Sequence, residues 1–176
     1  MKKQIVVLGF LGTNLDQGGK ARWGRWRPTI SLGQQDDLLV DRLELFYEKS
    51  FLELAQLVQK DFQQVSPETV FNLREVVLKD PWDFQTVYSG IFDNLKDYKF
   101  DTDNEEYLVH ITTGTHVIQI CLFLLTESRH IPGKLLQTHM QKSRNPNGTY
   151  TIIDLDLSKY DKIAERFHQE QKDGIR

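Results

Sequence analysis

Tyr107-Leu108-Val109-His110-Ile111-Thr112-Thr113-Gly114-Thr115-His116 is the stretch whose reading decides the fold. Tyr107 to Ile111 is compact and apolar, as a strand buried in a sheet should be. Thr112 to Thr115 is a turn, and His116 to Glu127 continues as a helix that is apolar on most sides. A buried strand feeding a buried helix through a short turn is the unit of a parallel α/β sheet. Upstream, Ile5 to Leu8 is a continuous apolar run ending at Gly9, a second strand buried on both faces. Asp41 to Tyr47 and Thr69 to Val77 read as two further strands. The helix between them carries Phe51, Leu54, Leu57, Val58 and Phe62 at helical spacing. Ser50 and Glu53 form a predicted capping box at its start. Asp80-Pro81 is expected to open the next helix, with Phe84, Val87, Tyr88, Ile91, Phe92 and Leu95 on one face. Lys134 to Met140 and Thr149 to Leu157 read as a late hairpin turned by Asn145-Pro146-Asn147-Gly148. Tyr160 to Gln171 is a final polar helix. The expected fold is therefore α/β, a mainly parallel sheet flanked by helices, with a C-terminal β-hairpin.

Composition sets the class. The chain has 176 residues, enough for one domain, with 39% hydrophobic and 27% charged residues, so a normal core is expected. A net charge of −3 gives no bulk reason for non-specific nucleic-acid binding, so any anion site must be local. Cys121 stands alone, which excludes an internal disulfide and fits a reducing compartment. The apolar run Val117 to Leu125 is far short of the ~20 residues of a membrane span. The opening residues are too short an apolar stretch for a signal peptide, and a cytoplasmic location is expected.

In an open α/β sheet, ligands bind beyond the carboxyl ends of the strands, where the strand order reverses. Two loops fit that place. Thr112, Thr113, Gly114, Thr115 and His116 put hydroxyls, a glycine and a helix N-terminus together, suited to a phosphate; the same pattern also makes a plain N-cap. Thr13, Asn14 and Asp16 follow the first strand, in a stretch that also serves as an ordinary strand-to-loop turn. Arg22-Trp23-Gly24-Arg25-Trp26-Arg27 interleaves guanidinium groups with indoles. Arginine pairs with phosphate and tryptophan stacks on bases, which suits a single-stranded RNA end; a dimer interface is enriched in the same residues. No GxGxxG, GxxxxGK[ST] or GxSxG motif occurs. The five histidines do not cluster at metal spacing, so neither a metal nor a cofactor is expected; His110 and Cys121 read as core residues.

Val7-Leu8-Gly9-Phe10-Leu11-Gly12-Thr13-Asn14-Leu15-Asp16, Arg22 to Thr29, Gln64 to Thr69 and His110 to His116 together resemble the amino-terminal domain of the RtcR family of RNA-repair transcriptional activators. That domain is similar to the Rossmann-like CARF sensors, whose loops after strands one and four bind nucleotide ligands. Their strand-four loop often ends Gly-Gly-Thr-Lys; here it reads Thr113-Gly114-Thr115-His116, with His116 in the place of the lysine. The resemblance implies a ligand-sensing domain over residues 1–168 and, from 169 to 176, the start of a linker to an AAA+ ATPase that is not in this sequence. It implies an activator acting with sigma-54 RNA polymerase, promoter DNA and ATP on the operon of the RtcB ligase and the RtcA cyclase. The implied signal is RNA or tRNA with a 2',3'-cyclic phosphate end, and the implied assembly a homodimer or higher oligomer. On this reading the domain is no enzyme. The rival expectations are a CARF-type ring nuclease or cyclic oligonucleotide-binding domain, with Thr113, Thr115 and His116 at the phosphate, and a dimerisation module without ligand.

Overall fold

The structure, a computed structural model, describes residues 2–141, 144–154 and 161–174. Its sheet has six strands in the order β3-β2-β1-β4-β5-β6. These are β1 (Gln4–Phe10), β2 (Arg42–Glu48), β3 (Val70–Val76), β4 (Glu105–His110), β5 (Gly133–Gln141) and β6 (Asn145–Ile153). All pairings are parallel except β5 with β6. The expected α/β architecture with a closing hairpin is the one found. The chain leaves β1 for β2 and β3 on one side, then crosses back to place β4 and β5 on the other. The order therefore reverses between β1 and β4, and their carboxyl ends frame the crevice.

Alternation sends side chains to two cores. Val6, Leu8, Phe46, Tyr107 and Val109 pack under α3 (Phe84–Leu95) and α4 (His116–Glu127). Val7, Leu43, Leu45, Leu108 and Leu136 pack under α1 (Pro28–Leu32) and α2 (Leu52–Val65). Cys121 is buried in the first of these cores. The polar helix α5 (Asp161–Gly174) follows. It runs without a break across residue 168, where the sequence reading ends the sensor domain. At the amino ends of the strands, Arg42 bonds Glu105 at 2.6 and 2.9 Å, and the buried Glu44 accepts from Arg42 and Arg74 at 3.1 and 2.7 Å. Carboxylates and guanidiniums satisfy one another there.

Four local expectations are corrected. The Ser50–Glu53 capping box does not form: β2 runs to Glu48, and a 3₁₀ turn, Lys49–Phe51, passes straight into α2, whose N-cap Phe51 makes no side-chain bond. The helix expected from Asp80-Pro81 begins at Phe84, because the Asp83 carboxylate accepts from the Thr86 amide at 2.9 Å and from its hydroxyl at 2.7 Å. Asn145 to Gly148 is not the hairpin turn but the first part of β6. The pairing shifts between His139 and Gln141, leaving Pro146 to Gly148 as a bulge with Gly148 at φ 73°. Finally, α1 and a 3₁₀ turn, Gly19–Gly24, fill the β1–β2 connection, where no element was expected. Residues 155–157 of the expected last strand, and Tyr160, lie outside the described residues.

Gly133 opens β5 against the backbone of β4. A Cβ there would stand 2.6 Å from the Tyr107 carbonyl oxygen. Gly133→Ala is expected to spread the β4–β5 ladder and to lower stability by about 1–3 kcal/mol in urea unfolding. Wild-type stability would refute this account of the strand contact.

Candidate functional site

The two loops at the switch point are welded together. The Thr113 hydroxyl, fully buried, donates to the Phe10 carbonyl at the end of β1 at 2.6 Å. Gly12 lies so close that a Cβ would meet the Thr113 methyl at 2.9 Å. Asp16 is buried as well. Its carboxylate accepts from the Gly12 amide at 2.8 Å and from the Thr29 amide and hydroxyl at 3.0 and 2.7 Å. Burial pushes this carboxyl up, and the bonds from Thr29 and Gly12 only partly oppose it. Asp16 thus clasps the first loop to the start of α1, and Thr113 holds the first loop to the second. Thr13 is half-buried and its carbonyl accepts from the Gln17 side-chain carboxamide; Asn14 is exposed.

The mouth of α4 is built differently. Thr115 is its N-cap: the hydroxyl accepts from the Ile118 amide at 3.2 Å and donates to the Pro81 carbonyl at 2.9 Å. Gly114 takes φ 94°, a left-handed conformation that turns the backbone into the helix. The Gln119 carboxamide donates to the carbonyls of Thr112 and Gly114, both at 3.2 Å. Among the described residues, no acceptor meets the amides of Thr113, Gly114, Thr115, His116 and Val117. The expected amide-lined helix N-terminus is therefore present, flanked by the exposed His116. The Thr112 hydroxyl faces inward, accepting from the Thr138 amide at 2.9 Å and its hydroxyl at 3.1 Å. Thr138 in turn bonds His110 Nε2 at 2.9 Å, and burial lowers His110 to about 3, so it stays neutral. His110 is the core residue the sequence suggested. Trp82 was not anticipated: it is 62% exposed, its ring centroid 5.4 Å from that of His116.

The arginine–tryptophan stretch divides in two. Arg22 and Arg27 both grip the buried Asp61 of α2, at 2.6 and 2.8 Å. The Trp23 ring lies over Arg27, 4.9 Å from guanidinium carbon to centroid. These three residues secure the loop to α2. Arg25 is exposed, and among the described residues its side chain reaches only the Asn14 carbonyl, at 3.4 Å. It and Trp26 line a cavity of about 670 Å³ with Leu15, Gly24, Met140, Gln141 and Pro146. The α4 mouth is not among its walls. The switch point therefore offers two separate features: amides without acceptors at the mouth of α4, and a cavity between the segment before α1 and the β5–β6 hairpin. No described His, Cys, Asp or Glu residues converge in threes to hold a metal. No described helix is long and apolar enough to cross a membrane.

Solved structures share the architecture. Csm6 from Enterococcus italicus, bound to cyclic hexa-2'-fluoro-hexa-dAMP, superposes with TM-score 0.66 at 15% identity, over 92% of this chain and 45% of that one. Can2 from Sulfobacillus thermosulfidooxidans, in complex with cyclic tetra-adenylate, gives 0.50 at 15% identity over 89% of this chain and 40% of its own. Protein VC1899 from Vibrio cholerae gives 0.53 at 10% identity over 85% and 36%. At such identities the likeness is one of fold, the CARF-like fold expected from the sequence. The chain is also 46% identical, over 98% of its length, to the transcriptional regulatory protein RtcR of Escherichia coli (strain K12). It spans 34% of that relative. The family described as RtcR, regulator of RNA terminal phosphate cyclase, matches residues 3–176. With its loops, its sheet and nearly its whole length accounted for in this way, the chain belongs to the RtcR family.

Proposed function

We propose that this chain is the ligand-sensing domain of a sigma-54-dependent activator of the RNA-repair operon. It binds RNA or tRNA fragments ending in a 2',3'-cyclic phosphate, and binding relieves its restraint on the AAA+ ATPase that follows. The observation that carries this reading is the set of unmatched amides from Thr113 to Val117 at the mouth of α4. A cyclic phosphate is a compact anion with two free oxygens, and such amides with a helix dipole behind them bind it without any lysine. Arg25 supplies a charge for a flanking phosphate and Trp26 a surface for a base. Arg22, Trp23 and Arg27 keep their loop in place from beneath, and Asp16 and Thr113 set the distance between the loops. A ligand held between two copies of the domain would bias how they dock, which is what a switch requires.

Titrating the domain with one RNA ending either in a 2',3'-cyclic phosphate or in a 3'-hydroxyl tests this. Two charge-assisted amide bonds imply a preference for the cyclic end on the order of 100-fold. Equal affinities would remove the proposed signal.

A second reading is binding, or ring opening, of a cyclic oligonucleotide. It is favoured by the cyclic oligoadenylates named with Csm6 and Can2. Titration with cyclic tetra- and hexa-adenylate, followed by analysis for linear products, separates the two. A ligand-free dimerisation module is best probed through Arg25→Ala, since Thr113→Ala would break the bond to Phe10.

A further inference from the structure

The β5–β6 hairpin contributes a wall that the sequence reading did not include. We propose that the cavity between Trp26 and this hairpin is a nucleobase pocket for the terminal nucleotide of the bound RNA, with Met140 and Pro146 facing the base and Gln141 reading its edge. This rests on the RNA-end reading above and adds to it a subsite and the residues that give it selectivity.

The chemistry of the walls argues for the occupant. Leu15 is 41% and Met140 51% exposed, and with Trp26 and Pro146 they give the cavity a mainly apolar lining. Its lining also holds one guanidinium, Arg25, and one carboxamide, Gln141. A flat heterocycle carrying a phosphate matches that division: apolar faces for the ring, a neutral donor–acceptor pair for its edge, a cation for its charge. An apolar peptide segment would leave Arg25 and Gln141 without a role. Methionine adapts to faces of different size, as a site accepting purines and pyrimidines needs.

The pocket is also built into the fold. Trp26 Nε1 is buried with no described partner, packed against Gly148. A Cβ at Gly148 would stand 2.5 Å from that nitrogen, and the residue sits at φ 73° in the β6 bulge. The bulge thus admits the indole and fixes its polar edge inward, so the ring presents carbon surface to the cavity. The cavity volume of about 670 Å³ lies within the range of ligand sites.

The test uses two RNAs with the same 2',3'-cyclic phosphate end, one with adenine on the terminal ribose and one abasic there. Loss of the base is expected to weaken binding on the order of tenfold. Met140→Asp, at an exposed position that leaves the fold intact, should abolish that difference, and Gln141→Ala should flatten the preference among the four bases. Equal binding of intact and abasic RNA, or a base dependence that survives Met140→Asp, overturns the pocket. If base dependence persists but cyclic and hydroxyl ends bind alike, the phosphate reading falls and the pocket stands. If no RNA binds, both fall.

Discussion

Asp61→Asn is expected to destabilise the domain by about 3 kcal/mol at neutral pH. Asp61 is fully buried and accepts from Arg22 Nε at 2.6 Å, Arg22 Nη2 at 3.2 Å and Arg27 Nη1 at 2.8 Å. Neutralising it leaves the Arg27 side chain, 1% exposed, as an uncompensated buried charge. Arg22, at 24% exposure, can turn to water, which keeps the loss at the lower end of the 3–5 kcal/mol range for such pairs. Burial alone would raise the Asp61 carboxyl, but the bonds from Arg22 and Arg27 outweigh it and hold it below the ordinary carboxylate range. A depressed carboxylate stabilises the fold above its unfolded value, near 4, and that stability is lost as pH falls through the lower folded value. The gap between wild type and Asp61→Asn in urea unfolding should therefore narrow below pH ~4. A gap that held constant down to acid would remove the ion pair as its cause. Asp61→Leu combined with Arg27→Met, which removes both buried charges together, should recover much of the loss.

The same residues show where sequence reading stops. Strand and helix order followed from apolar runs of a few residues and from periodicity, both local signals. The switch point followed from the βα order, and the start of α4 from one turn, Thr112 to His116. The arginine–tryptophan stretch was ambiguous for a physical reason. Guanidiniums stacked on indoles answer equally to a ligand's phosphate and to a buried carboxylate, and the carboxylate here, Asp61, lies on another helix. No local pattern points from Arg22 or Arg27 to it. Asp16 was read as part of a ligand wall, but it is buried and bonded to Thr29, which lies in α1, an element whose only sequence mark is Pro28 at its first position. Met140 was read as the end of a strand, and Gln141 fell just outside it. They join the cavity because the bulge at Pro146–Gly148 carries the hairpin over the segment before α1. A turn motif, Asn145 to Gly148, was mistaken for the hairpin tip because a bulge and a turn call for the same residues.

Gly114→Val should cost the site more than it costs the fold. At φ 94° a β-branched residue is strained, and its Cβ would stand 2.9 Å from the Ile118 Cγ2 atom. Together these should lower stability by about 1–3 kcal/mol. The chain at this point has one way out, a rotation of the Gly114 peptides that re-aims the Thr113–His116 amides. Those amides need a common focus to hold an anion, and a turn that keeps its fold but loses the focus loses binding. Affinity for RNA ending in a cyclic phosphate should fall on the order of 100-fold, about 2.7 kcal/mol. Affinity for the same RNA with a 3'-hydroxyl should change little, so the preference between the two ends collapses. The thermal midpoint separates this from unfolding, because the variant should melt as a single cooperative unit, only a few degrees lower. A folded Gly114→Val domain that still preferred the cyclic end would place the recognition of the phosphate somewhere other than the mouth of α4.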